Sequence, residues 1–312
     1  MDYTGKRAVL AGAGVMGASL ALVYAKAGFS VTLYDLCEDE LARGRGRLAA
    51  SLQTLLAEGM LSPDEAEAIL GRIDYTSDKA CFQSAFLILE NITENLSAKQ
   101  SFWKEASALA QTNALLATDT SGLSIGEIGE AITGPERFAG QHWLNPPHLI
   151  PLCEVVKGEK TAPETMAAMV DIVTFLGKKP VVLERDIPGF ITNRLQFALL
   201  REALHIVESG AASVEDVDNT VKYGLGVRYA CLGPFDTADL AGLDNFDKVS
   251  TRLFGQLSAA KGPDPLLHGL VEQGSLGVKS RKGFYDYSDG KDSAAIRRRD
   301  ERIIRLAKCL FS

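Results

Sequence analysis

Short, almost wholly apolar runs recur along the first half of the chain, separated by longer segments with helical periodicity. Such runs are typical of buried parallel strands, and their alternation with helices predicts an α/β fold with a doubly wound parallel sheet. We place these strands at residues 8–11, 29–34, 86–89, 115–118, 137–142 and 181–183.

The segments between the first strands carry helix signals. Residues 18–26 predict a helix that ends at Gly28, and residues 38–72 predict a helical region with a break near Gly59. After the break, Ser62 stands where a new helix would begin. A serine oxygen caps free backbone N–H groups, and the proline that follows suits the first helical position.

The pattern changes near residue 186. Residues 186–190 interrupt the periodicity with an adjacent proline and glycine, and the chain after them is almost wholly helical. We therefore expect two domains: residues 1–186 with the sheet, and an all-α C-terminal domain over residues 187–312.

A glycine-rich turn follows the first strand and opens the first helix. Its spacing fits the G-x-G-x-x-G pattern of dinucleotide-binding folds, where glycines allow a tight turn, close approach to a pyrophosphate, and close packing of helix on strand. The free N–H groups of the helix N-terminus also favour an anion here. The segment comprises Gly12, Ala13, Gly14, Val15, Met16 and Gly17.

Asp35 ends the second strand, 21 residues after Gly14. A carboxylate near this position binds the ribose hydroxyls in Rossmann-type folds and would repel a 2′-phosphate. The first domain is therefore predicted to be a Rossmann-type domain that binds NAD in preference to NADP.

His142 is the most informative of the four histidines. It lies at the expected carboxyl end of a strand, the edge at which doubly wound sheets bind their ligands. Glu154 follows twelve residues later on a strand-like segment, where apolar neighbours would bury its carboxylate and require a partner. The two could form a general base and its orienting acid, or a structural pair.

Composition limits the partners of the chain. Its net charge is −7, which argues against general nucleic-acid or membrane-surface binding and leaves a small molecule as the expected partner. No apolar stretch approaches the ~18 residues of a membrane span, and the first residues lack signal-peptide features. Five scattered cysteines without a C-x-x-C pair predict unpaired, buried thiols, no metal site and a cytoplasmic protein.

Several motifs in a fixed order resemble the L-3-hydroxyacyl-CoA dehydrogenase superfamily, which includes 3-hydroxybutyryl-CoA dehydrogenase and the lambda-crystallin/L-gulonate 3-dehydrogenase branch. Together with the glycine turn they extend over nearly the whole chain. The motifs are E-N-I-T-E-N at 90–95, T-D-T-S-G-L-S-I at 118–125, F-A-G-Q-H-W-L-N-P at 138–146, D-I-P-G-F-I-T-N-R at 186–194 and K-G-F-Y-D-Y at 282–287.

The resemblance implies an NAD-dependent oxidation of a secondary 3-hydroxyl to a ketone, with a histidine–glutamate pair at its centre. It also implies a homodimer formed through the C-terminal helical domain. The residues that it implies for catalysis are His142, Glu154, Ser121 and Asn193, and those that it implies near the nicotinamide and its ribose are Glu94, Lys99 and Asn145.

A short-chain L-3-hydroxyacyl-CoA is the substrate that the resemblance implies first. Acyl-CoA members tend to carry a lysine-rich helical segment after the second strand, whereas residues 51–70 contain four acids and no Lys or Arg. The family's Asn-Thr-Ser-Ser pattern is also changed to Asp-Thr-Ser-Gly at 119–122, and Arg228 could bind a free carboxylate or cap a helix end.

Two alternatives therefore stay open. The same chemistry could act on a small free carboxylate, such as an L-gulonate-like 3-hydroxy acid or an aromatic alcohol or aldehyde acid. A non-catalytic NAD-binding protein, as crystallins can be, is the second alternative.

Overall fold

Two compact units make up the chain. The computed structural model describes residues 1–311; the first unit is Met1–Arg194, and the second begins at Leu195.

The first unit contains an eight-stranded sheet flanked by helices. Its strands are β1 (Arg7–Ala11), β2 (Ser30–Tyr34), β3 (Ile73–Thr76), β4 (Leu87–Glu90), β5 (Leu115–Thr118), β6 (Phe138–Trp143), β7 (Leu152–Val156) and β8 (Lys179–Leu183). Its helices are α1 (Val15–Lys26), α2 (Glu38–Ala57), α3 (Pro63–Leu70), α4 (Leu96–Leu109), α5 (Ile125–Gly129) and α6 (Pro163–Phe175).

The strand order is β3-β2-β1-β4-β5-β6-β7-β8, which confirms the Rossmann-type doubly wound sheet. Strands β1 to β6 pair in parallel, but β7 pairs antiparallel to β6 and parallel to β8. The reason for the reversal is the short connection, residues 144–151. A parallel pairing needs a crossover of about a dozen residues or more.

The helical predictions of the first unit are confirmed in their main features. Gly59 has a left-handed φ of +63° after α2, and the next helix begins where Ser62 predicted it. Ser62 Oγ accepts from Glu65 N, and the Glu65 carboxylate accepts from Ser62 N, which is a complete capping box. The sequence missed β3, an edge strand in which only Ile73 is buried.

The second unit is helical, apart from isolated β-bridges around Lys282. A π-helical turn, Val221–Leu225, lies between its second and third helices. The helices are α7 (Thr192–Glu208), which begins in the first unit, α8 (Val214–Thr220), α9 (Gly226–Tyr229), α10 (Pro234–Ala241), α11 (Leu243–Leu253), α12 (Pro265–Glu272) and α13 (Lys291–Phe311). Over residues 1–311, no helix combines the length and apolar character that a bilayer crossing requires.

The expectation of buried cysteines is wrong for three of the five. All five thiols are unpaired, but Cys37, Cys231 and Cys309 are exposed and Cys81 is half-buried. Only Cys153 stands on a strand of the sheet, where it is fully buried. The others lie in turns and helices, where one side of the backbone faces solvent.

Arg137 joins three segments just before β6. Its Nη1 donates to Gln111 O at 2.6 Å and Ala114 O at 3.0 Å, and its Nη2 donates to Ser107 O at 3.1 Å and Thr133 O at 3.0 Å. The side chain is almost completely buried, and burial lowers the pKa of the guanidinium from its ordinary value. The four carbonyls are thus satisfied by a single donor group at the start of the strand that carries His142.

Replacing this guanidinium is expected to destabilise the protein strongly. Arg137→Met removes this donor from all four carbonyls, of which only Gln111 O keeps another, from Ala114 N, so the free energy of unfolding should fall by about 3 kcal/mol in urea denaturation. Arg7→Met is the matched control, because Arg7 is exposed and donates only to Ser84; its effect should stay within about 0.5 kcal/mol. Equal losses in the two variants would contradict the role of Arg137.

Candidate active site

Strands β6 and β7 bring His142 and Glu154 face to face. The antiparallel register pairs the two residues directly, and their exposed fractions are only 3% and 0%. His142 Nδ1 lies 2.7 Å from Glu154 Oε2. Because Nδ1 is hydrogen-bonded to the carboxylate, Nε2 is the ring nitrogen left to exchange a proton with another group.

Glu154 is held in its charged form although it is buried. Burial raises the pKa of its carboxyl, but hydrogen bonds from His142, Thr192 N and Ile191 N outweigh this, so the pKa lies below its ordinary value. Glu154 Oε1 accepts from Ile191 N at 3.0 Å and Thr192 N at 2.9 Å. Since Thr192 begins α7, the positive end of the helix dipole also favours the carboxylate.

Glu94 organises the loop that carries Ser121. Its Oε1 accepts from Thr120 Oγ1 at 2.6 Å and from the backbone N–H groups of Ser121 and Gly122 at 2.9 Å each. Burial raises the pKa of this carboxyl, but these bonds and the charge of Lys99 outweigh it and lower the pKa overall. A single carboxylate therefore fixes the conformation of the segment after β5.

Lys99 lies next to Glu94 and is buried, with 1% of its surface exposed. Its Nζ is 2.5 Å from Glu90 Oε1 and 3.4 Å from Glu94 Oε2. Glu90 is fully buried and also accepts from Thr118 Oγ1 and Ile92 N, both at 2.8 Å. The ammonium of Lys99 is thus surrounded by protein oxygens, and its charge orients the carboxylate of Glu94.

The structure also brings Ser121 and Asn193 together, since Asn193 Nδ2 donates to Ser121 O at 2.7 Å. Asn145, in contrast, is exposed on the β6–β7 connection. The C-terminal ends of β5 and β6, which precede Ser121 and Asn145, are linked, because Trp143 N donates to Asp119 Oδ1 at 2.7 Å. Burial raises the pKa of Asp119 well above its ordinary value.

The glycine turn has the geometry that a dinucleotide needs. A Cβ at Gly12, where φ is +102°, would stand 2.7 Å from Asn91 O, and one at Gly17 would stand 1.8 Å from Gly12 O. Both glycines are therefore required by close backbone packing. A Cβ at Gly14 would meet nothing within 4 Å, so its absence leaves open space at the N-terminus of α1, where a pyrophosphate fits.

A cavity of about 770 Å³ adjoins the glycine turn and is lined by Gly12, Gly14, Val15 and Asp35 together with further apolar, polar and charged side chains. The Asp35 carboxylate accepts from Ala13 N at 2.8 Å and from Cys37 N at 3.0 Å. The size of the cavity and its polar edge suit a nucleotide, and the residues present therefore fit NAD.

Two contacts that the sequence did not predict hold the β6–β7 connection. His148 Nδ1 lies 2.6 Å from Ser19 Oγ on α1, and Lys178 Nζ donates to Pro147 O at 2.7 Å and Ile150 O at 2.9 Å. Burial lowers the pKa of Lys178 to about 8. The loop after His142 is thereby fixed to the helix that follows the glycine turn.

Glu90 is a residue of this site that the sequence did not predict, although its position carries a signal. Glu90 ends an apolar strand, so the argument that singled out Glu154 as a buried acid needing a partner applies to it equally. Over residues 1–311, no cluster of three or more His, Cys, Asp or Glu side chains is arranged to hold a metal ion.

Two family models cover most of the chain. The NAD-binding domain of 3-hydroxyacyl-CoA dehydrogenase matches residues 7–187, and the C-terminal domain of the same family matches residues 189–287.

One full-length relative is the 5-formyl-3-hydroxy-2-methylpyridine 4-carboxylate 5-dehydrogenase of Mesorhizobium japonicum, 36% identical over 300 residues that cover 96% of each chain. A solved structure of an enzyme with that activity, described as an NAD⁺-dependent dismutase, has a TM-score of 0.92 at 35% identity and covers 98% of this chain and 99% of its own.

Other relatives are acyl-CoA enzymes. A probable 3-hydroxybutyryl-CoA dehydrogenase of Deinococcus radiodurans is 36% identical over 277 residues, 88% of this chain and 98% of the relative. The structure of (S)-3-hydroxybutyryl-CoA dehydrogenase from Ralstonia eutropha has a TM-score of 0.75 at 29% identity and covers 92% of this chain and 100% of its own. The protein therefore belongs to the 3-hydroxyacyl-CoA dehydrogenase family and is an NAD-dependent oxidoreductase that acts on CH–OH groups.

Proposed function

We propose that the protein oxidises the CH–OH carbon of a small substrate that carries a free carboxylate, such as an L-gulonate-like 3-hydroxy acid, an aromatic alcohol acid, or an aromatic aldehyde acid in its hydrated form. The observation that supports the chemistry best is the hydrogen bond between His142 Nδ1 and Glu154 Oε2. It leaves Nε2 available as a base at the carboxyl end of the sheet, where α/β folds bind their ligands.

In this mechanism, His142 Nε2 accepts the hydroxyl proton while the hydride leaves the carbon that bears this hydroxyl, so that a carbonyl forms. Glu154 keeps the imidazole in the tautomer that accepts this proton and stabilises the imidazolium that results. Ser121 and Asn193, which are already hydrogen-bonded to each other, hold the substrate oxygen. NAD, when bound, supplies the hydride acceptor.

The cofactor-binding residues that we propose fall into two groups. The pyrophosphate and adenosine ribose are bound by the glycine turn and Asp35, and the nicotinamide end is bound near Glu94 and Asn145. Lys99 contributes by orienting Glu94, because its ammonium is buried.

The choice of a free carboxylate rests on two observations. The relative from Mesorhizobium japonicum, whose name specifies a pyridine carboxylate, matches over nearly the whole length of both chains. In addition, Asp64, Glu65 and Glu67 are exposed on α3, where a polyanionic CoA tail would be repelled.

A short-chain 3-hydroxyacyl-CoA is the second candidate substrate. It is supported by the 3-hydroxybutyryl-CoA dehydrogenases among the relatives, which match at similar identity over somewhat less of the chain.

We also propose a cytoplasmic homodimer formed through the helical domain, residues 187–312, with residues 1–186 binding NAD. Large apolar side chains that a soluble monomer would bury are exposed along the second unit, and protein interfaces are a common place for such side chains. Examples of these exposed side chains are Leu195, Phe197, Tyr223, Phe235, Leu240 and Phe254, all at least 58% exposed. Measuring the molar mass of the protein in solution tests whether it is a dimer.

The substrate class can be tested by measuring NADH oxidation with acetoacetyl-CoA and with a panel of free keto acids and aromatic aldehyde acids. We expect the best free acid to exceed acetoacetyl-CoA in kcat/KM by roughly tenfold or more, because one matched or repelled charge is worth about that much in binding. A clear preference for acetoacetyl-CoA would instead establish the second candidate.

Glu154→Gln should lower kcat by roughly 10²- to 10⁴-fold, because an amide does not enforce the imidazole tautomer or stabilise the imidazolium. The Kd of NADH, measured by fluorescence, should not change, since the carboxylate acts on His142 and not on the cofactor. Glu159→Gln, on the exposed segment after β7, is the control. Unchanged turnover in both Glu154→Gln and His142→Ala would exclude the pair from the chemistry, whereas no turnover of any substrate by the unsubstituted protein would favour the non-catalytic alternative.

Asp35→Asn should raise the ratio of kcat/KM for NADP to that for NAD by roughly tenfold, because the charge that repels a 2′-phosphate is removed. The carboxylate accepts Ala13 N and Cys37 N on different oxygens, and asparagine keeps an acceptor for only one of them. The readout is therefore the ratio between the two cofactors, because a general loosening of the glycine turn would weaken both. The exposed Asp39, replaced by Asn, serves as control. An unaltered ratio in Asp35→Asn would exclude Asp35 as the group that selects the cofactor.

A further inference from the structure

The turn between β8 and α7 contains an unusual backbone conformation. Gly189 and Phe190 both have left-handed φ angles, +77° and +50°. Glycine adopts this region freely, but for a bulky side chain it is strained and needs a reason. The other non-glycine residues with positive φ in residues 1–311, Arg281 and Asp289, are exposed, whereas Phe190 is 1% exposed.

The strained conformation places the Phe190 ring against the His142 imidazole. The ring centroids are 5.3 Å apart and the planes are inclined at 55°. One side of the imidazole therefore lies against a buried apolar ring, while Nδ1 is hydrogen-bonded to Glu154. Together the two contacts restrict both the movement of the imidazole within its own plane and the rotation of the ring out of that plane.

The same turn directs the next two backbone N–H groups at Glu154. Ile191 N and Thr192 N both donate to Oε1, the oxygen that does not bind His142. A backbone that left the left-handed region at Phe190 would turn these donors away. The conformation of a single residue thus determines contacts to both members of the pair.

We propose that the turn Gly189–Thr192 is a positioning element for the His142–Glu154 pair, in which the Phe190 ring orients the imidazole and the amides of Ile191 and Thr192 orient the carboxylate. The proposal rests on the proposed role of His142 as the base. It assigns to Phe190 a task beyond filling the core, since a side chain that only fills space has no need of a strained backbone.

Glu154 contributes to the pH dependence of the pair, because its pKa is lowered by hydrogen bonds that outweigh its burial. The groups around it are His142 from β6, the uncharged Val181 in register on β8, the neighbouring thiol of Cys153, and the turn, which contributes only amides. A carboxylate with a lowered pKa stays charged above that pKa. Its function is lost as the pH falls through that value and the group becomes protonated. Removing an amide donor therefore moves the loss to higher pH.

The role of the ring is tested with Phe190→Leu, and Phe138→Leu is the matched control. Phe138 lies in the same apolar cluster, is 2% exposed, and contacts Trp103. The readouts are kcat and the imidazole ¹⁵N signals, which report the tautomer. Because the chain has four histidines, the signal missing from His142→Gln identifies His142.

We expect Phe190→Leu to lower kcat by roughly 10- to 100-fold and to shift or broaden the His142 signals, since a small misplacement of a reacting group has effects of this size. Phe138→Leu should leave both readouts unchanged. Equal behaviour of the two variants would overturn the role of the ring. The ¹⁵N signals do not depend on turnover, so they test the turn even if another residue proves to be the base.

The role of the amides is tested with Thr192→Pro against Thr192→Ala. Proline is accepted at the first position of a helix, which Thr192 occupies, but it has no N–H group for Glu154. The acid limb of the pH profile of kcat/KM should move up by about one pH unit in Thr192→Pro, the effect of one charge-assisted hydrogen bond, and should not move in Thr192→Ala. An unmoved limb in Thr192→Pro, or equal shifts in both variants, would overturn the role of the amides.

Discussion

A buried carboxylate must be stabilised by hydrogen-bond donors on both of its oxygens, and Glu154 imposes this constraint on the centre of the first unit. One oxygen takes the imidazole of His142 and the other takes two backbone N–H groups at the start of α7. The antiparallel pairing of β6 and β7 follows from the short loop between them and gives the register that these contacts need. A one-residue slip would place Glu154 on the opposite face of the sheet.

A second buried acid, Glu90, has a comparable position at the end of β4. Its charge is balanced by Lys99, which also approaches Glu94, and Glu94 in turn fixes the loop of Ser121. Each half of the candidate site thus consists of an exposed or reactive group supported by a buried charge. The hydrogen bond from Trp143 N to Asp119 connects the two halves at adjacent strand ends.

Much of this arrangement could be predicted from the sequence because it depends on local pattern. Buried strands such as Leu87–Glu90 are continuous apolar runs, the glycine turn has a fixed spacing, and His142 and Glu154 lie on neighbouring strands. Edge strand β3 was not predicted because only one of its residues, Ile73, is buried and the strand contains no apolar run. The left-handed Phe190 could not be predicted either, since its conformation is imposed by tertiary packing against local preference.

The cluster around Arg137 has a consequence for the motions of the protein. Its guanidinium bonds to carbonyls at the end of α4, before β5, and before β6. None of these segments can open to solvent alone without breaking bonds that the others share, so they form one cooperative unit. The backbone amides of β5 and β6 should consequently exchange their hydrogens together, at the rate of a single opening event. The strand that carries His142 therefore exchanges as slowly as the segments to which Arg137 links it.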